Sequence, residues 1–76
     1  MPHVIVKLQV GRSEGQKARI AEAVTKAVMA EARCGEDAVS VSIEDIAPGD
    51  WVEKVYKPDI LGDCDRVYKK PGYDPM

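Results

Sequence analysis

The 76-residue sequence predicts an α+β fold, a βαβ unit followed by a C-terminal helical segment, with its sheet completed by oligomerisation. Two runs alternate in polarity at period two, and a capped stretch of helical periodicity lies between them. The third observation is a shortage of core. Of the 45% hydrophobic residues, eight are Ala and only 17 are Val, Ile or Leu. A chain this short buries only about 60% of its unfolded surface, so one core of it is marginal. We therefore expect a single domain over residues 1–76 that gains stability by self-association.

The first run, His3 to Val10, sets Val4, Val6, Leu8 and Val10 on one face and His3, Ile5, Lys7 and Gln9 on the other. Pro2 stands at the strand start, where its missing N–H costs little. Gly11-Arg12 breaks the alternation, and Ser13 with Gln16 has the spacing of a capping box that opens a helix. Ile20, Val24, Ala27, Val28 and Ala32 then form one stripe, and Gly35 is expected to accept the left-handed conformation that ends it. Val39, Val41 and Ile43 alternate with Ser40, Ser42 and Glu44 in a second strand that stops before Pro48-Gly49. The face bearing Ile5, Lys7, Ser40 and Ser42 is too mixed for a core and too apolar for open water, so we expect another subunit there. Pro58 is placed in the first turn of a last helix carrying Ile60, Leu61, Cys64, Val67 and Tyr68.

Composition removes several classes of function. The formal charge is −2 and the sequence pI is near 5.3, which speaks against a dedicated nucleic-acid binder. The charge is uneven: residues 1–33 carry six Lys/Arg against three Asp/Glu, and residues 34–76 carry five against ten. An anion therefore prefers the N-terminal part. No apolar run reaches the ~18 residues of a membrane span, and the alternating start is unlike a signal peptide, so a cytoplasmic location is expected. Cys34 and Cys64 belong to no CxxC pair, and His3, the only histidine, cannot complete a Cys/His metal set, so neither metal nor other cofactor is expected. His3 itself is read as a structural or surface residue.

Chemistry enters at Met1-Pro2. Aminopeptidase removal of Met1, expected before a small residue, converts the Pro2 nitrogen from a tertiary amide to a free secondary amine. An α-amino group titrates near neutrality, which suits a general base. Pro2, the alternating strand and the segment Gly11-Arg12-Ser13-Glu14-Gly15-Gln16-Lys17 together resemble the 4-oxalocrotonate tautomerase family. The ending, Trp51, Tyr56-Lys57-Pro58-Asp59-Ile60 and Lys69-Lys70-Pro71-Gly72-Tyr73, resembles its longer subgroup of small bacterial tautomerases.

The resemblance implies a tautomerase fold and a cofactor-independent keto–enol tautomerase, an isomerase. It makes Pro2 the catalytic base, Arg12 the carboxylate-binding residue and Trp51 a pocket wall that keeps the proline amine neutral. Ser40 stands where well-known members carry a second arginine. With one guanidinium and one hydroxyl, the expected substrate is a small enol or 2-oxo monocarboxylate resembling phenylpyruvate. One subunit is too thin to enclose it, so pockets are expected at interfaces, in a homodimer or alternatively a hexamer. The competing readings are a hydratase, dehalogenase or decarboxylase on the same scaffold, or a non-catalytic oligomeric binding module.

Overall fold

The computed structural model describes residues 1–76, which form two compact units, Met1–Asp45 and Ile46–Met76. Strand β1 (His3–Gln9), helix α1 (Glu14–Ala32) and strand β2 (Ser40–Ile46) follow in order, and β1 pairs with β2 in a two-stranded parallel sheet. The two strands start level: the Ser40 N–H donates to the Pro2 carbonyl at 3.1 Å. Alternation sets the faces as expected. Val4, Val6, Leu8, Val41 and Ile43 are half-buried, whereas His3, Ile5, Ser40 and Ser42 are exposed.

The junction between β1 and α1 depends on specific residues. Gly11 has φ +123°, a conformation closed to other residue types without strain. Ser13 then caps the helix: its Oγ accepts from the Gln16 N–H at 3.1 Å, and the Gln16 Oε1 accepts from the Ser13 N–H at 2.9 Å. Two orphan donors of the first turn are thereby satisfied reciprocally. Lys17 follows, bonded to Glu14 and to Asp45 of β2, each at 2.9 Å. With a side chain only 15% exposed, it ties the helix start to the strand end.

Two helix expectations are corrected. The covered stripe comprises Lys17, Ile20, Ala21, Val24, Thr25, Val28 and Met29, while Ala27 and Ala32 are exposed. Pairs of neighbours every 3.6 residues form the covered band, and positions 27 and 32 fall outside it. The left-handed residue is Arg33, at φ 56°, not Gly35, whose φ is −81°. The Arg33 and Cys34 N–H groups both donate to the Met29 carbonyl, so the helix closes two residues before the glycine.

The second unit is helical but differs from its expected form. A wide helix, α2 (Val52–Leu61), begins six residues before Pro58, which lies inside it and not in its first turn. The Gly62 N–H donates to the Lys57 carbonyl at 2.7 Å, a five-residue closure, and a Cβ on Gly62 would stand 2.9 Å from that same oxygen. The glycine is needed for this tight ending. Cys64–Arg66 is a separate single turn, so the helix foreseen through Tyr68 is broken. Leu61, Cys64 and Tyr68 are exposed; the buried side chains are Ile46, Val55 and Tyr56.

Candidate active site

Pro2, His3 and Ser40 meet at the level starts of the two strands. Pro2 is half-buried, and Met1 before it is fully exposed. The Ser40 N–H donates to the Pro2 carbonyl, and the Ser40 Oγ lies 2.6 Å from His3 Nδ1 in a hydrogen bond. The parallel register dictates this meeting, because His3 and Ser40 share the sheet face opposite α1. The sequence places both on that face but reads His3 as a structural or surface residue and does not pair it with Ser40. Their common parity was the available signal, but it required the strand register to be known.

Arg12 stands elsewhere. It follows β1 at the end opposite Pro2, and the seven residues of that strand, at about 3.3 Å each, span about 23 Å. Its Nη1 donates to the Gln9 carbonyl at 3.2 Å, which steadies the guanidinium beside the strand end. Arg12 is exposed, and a planar guanidinium fork suits a bidentate anion. One chain therefore brings Ser40 to Pro2 but not Arg12.

Trp51 belongs to the second unit. Its indole N–H donates to the Tyr73 hydroxyl at 3.1 Å, and the Tyr73 ring lies 6.2 Å from that of Tyr56, tilted by 39°. This aromatic group was not foreseen, since Tyr73 reads as part of a turn and tail. Nearby, Tyr56, Ile60, Cys64, Val67 and Tyr73 line a cavity of about 230 Å³ within the same unit. Cys34 and Cys64 are free thiols, and no group of three or more His, Cys, Asp or Glu side chains is arranged to hold a metal ion.

The chain thus combines a βαβ unit, Pro2 at the strand starts and an exposed arginine beyond the end of β1. Residues 2–55 match the model of the tautomerase enzyme family, and the chain belongs to that family. It is 41% identical over 73 residues to a probable tautomerase of Xylella fastidiosa, covering 96% of this chain and 89% of the relative. A tautomerase named PptA from Pectobacterium carotovorum subsp. carotovorum is 36% identical over 74 residues, covering 96% and 97%. Among solved structures, a 4-oxalocrotonate tautomerase isozyme from Methylibium petroleiphilum superposes with a TM-score of 0.64 at 34% identity, over 66% of this chain and 81% of that one. Membership assigns a tautomerase activity and the enzyme class of isomerases. No helix is long and apolar enough to cross a membrane.

Proposed function

We propose that the protein is a cytoplasmic, cofactor-independent keto–enol tautomerase of small 2-oxo or enol monocarboxylates resembling phenylpyruvate. The reading rests on one observation above the others: Pro2 sits at the strand starts beside the exposed Ser40, and only a fully exposed Met1 keeps its nitrogen an amide. Removal of Met1 frees the amine. The neutral Pro2 nitrogen takes the proton from the enol hydroxyl as the carbonyl forms, and the resulting ammonium delivers a proton to the substrate carbon. Electrons and protons balance within the substrate, so no external oxidant or reductant is required.

Arg12 binds the substrate carboxylate through its fork, and Ser40 adds one hydrogen bond. The separation along β1 supports a pocket in which Pro2 of one copy faces Arg12 of a second, in a homodimer. A two-stranded parallel sheet with an exposed Ile5 supports the same assembly, because parallel sheets are found with both faces covered.

The test follows phenylpyruvate enol ketonisation, with the N-terminal mass measured on the same sample. Pro2→Ala and Arg12→Ala are each expected to lower kcat/KM; unchanged values in both would overturn the assignment. Co-refolded in equal amounts, the two inactive variants should regain about one quarter of wild-type activity, since half of the dimers are mixed and each mixed dimer holds one complete site. No recovery would place both residues' contributions within one chain.

A further inference from the structure

The 2.6 Å contact between His3 Nδ1 and Ser40 Oγ has a consequence for substrate binding. A serine hydroxyl has one proton to donate, whereas a carboxylate only accepts. When Ser40 donates that proton to His3, it turns lone pairs outward and disfavours an anion. When His3 donates to Ser40 instead, the hydroxyl proton is free for the substrate. The direction of one hydrogen bond therefore decides whether position 40 attracts or opposes a carboxylate.

We propose that His3 is a positioning residue for Ser40: with substrate bound, the His3 Nδ1–H donates to the Ser40 Oγ, and the Ser40 hydroxyl donates to the substrate carboxylate. This builds on the tautomerase reading and adds a residue to it. The backbone holds the pair in place, because the Ser40 N–H is bonded to the Pro2 carbonyl at 3.1 Å and His3 is the next residue after that proline. Both side chains are exposed, within one chain, on the sheet face opposite α1, the face against which the proposed assembly builds its pocket. The proton required on Nδ1 is present in one neutral tautomer and in the imidazolium, so the proposal needs no particular charge on the ring.

Steady-state kinetics and histidine NMR test it. Ser40→Ala and His3→Phe should each raise the KM for phenylpyruvate enol about tenfold, the scale of one lost hydrogen bond to a charged group, and lower kcat far less. The double variant should be no worse than either single one, because His3 acts only through Ser40. His3→Asn, whose amide nitrogen can stand near the Nδ1 position, should restore most of the lost affinity. A His3→Phe KM equal to wild type, additive effects, or no rescue by asparagine would overturn the proposal.

The second measurement uses the unsubstituted protein. With one histidine in the chain, its ring ¹⁵N signals belong to His3, and couplings to the ring protons tell Nδ1 from Nε2. In the phenylpyruvate complex Nδ1 should carry a proton, and an unprotonated Nδ1 there would overturn the proposal. Pro2→Ala separates the two readings. If it abolishes turnover while His3→Phe leaves KM unmoved, the role of His3 falls and the tautomerase stands; if Pro2→Ala has no effect, the tautomerase reading falls.

Discussion

Met1–Asp45 contains β1, α1 and all of β2 but its last residue yet no buried side chain, whereas Ile46–Met76, with that last residue, one wide helix and short turns, contains Ile46, Val55 and Tyr56, all buried. Hydrogen-bonded regularity and burial are thus separable. In the first unit the backbone is satisfied by the strand ladder and a reciprocal cap, while Ile5 and Val10 remain half or more exposed. In the second, packing of a few large side chains accompanies a less regular backbone. The unit without buried side chains also carries Pro2, His3, Arg12 and Ser40, and the proposed assembly would both cover it and bring the Arg12 of one copy to the Pro2 of another.

The sharpest way to break this comparison is at Pro2. If the first unit is the catalytic one, Pro2→Ala should lower kcat/KM by about 10²- to 10⁴-fold, the usual contribution of a positioned base, while the urea midpoint barely moves. A large stability loss with modest kinetic loss would make Pro2 a structural residue. Next in size is Tyr56→Ala, which should cost about 3 kcal/mol in urea unfolding through loss of a buried ring. Ile5→Ala, by contrast, should leave the unfolding slope unchanged and weaken self-association, read by light scattering against concentration. Equal stability losses from both would show that the first unit packs as the second does.

Periodicity explains why one unit was legible from sequence and the other was not. Alternation at Val4, Val6 and Leu8, the Ser13–Gln16 cap and the Gly11 turn are local signals, and each was found where it was expected. Arg33 and α2 were not, because both depend on how backbone groups close. No side-chain pattern announces that the Met29 carbonyl takes two donors, or that Gly62 reaches back five residues to Lys57. Of the candidate site, Pro2, Arg12 and Ser40 were visible as residue types. The His3–Ser40 bond and the distance of Arg12 from Pro2 needed register and strand length.

Glycine substitutions sharpen the contrast at smaller scale. Gly62→Ala would put a Cβ 2.9 Å from the Lys57 oxygen and 3.0 Å from the Pro58 oxygen, both backbone atoms that cannot swing aside. It should destabilise by about 1–3 kcal/mol. Gly15→Ala, in the exposed first turn of α1, meets only the movable Arg19 guanidinium at 3.4 Å and the Ser13 hydroxyl at 3.9 Å. There alanine should stabilise by about 0.5–1 kcal/mol, by limiting the unfolded chain and favouring helix. Opposite signs in urea titrations are expected, and a gain at Gly62 would mean that α2 can close in another way.

The smallest effects lie in the pH dependence, and the two units should differ in which limb they shape. Hydrogen bonds first to Asp45 and then to Glu14 hold the Lys17 ammonium above its ordinary pKa. A raised folded pKa means that the stabilisation is complete below the ordinary lysine value and is lost as pH rises through the raised one. Asp63 has the reverse sign: the hydrogen bond from Arg66 lowers its pKa, so its contribution is complete above the ordinary aspartate value and is lost as pH falls through the lowered one. Solvent screens both pairs, so each should alter a curve's edge without moving its plateau. Lys17→Met should flatten only the alkaline limb of the stability profile and Asp63→Asn only the acid limb. Because Lys17 joins α1 to β2 whereas Asp63 and Arg66 lie three residues apart, the alkaline change should also loosen amide protection in β2, and the acid change should stay confined to the Cys64–Arg66 turn.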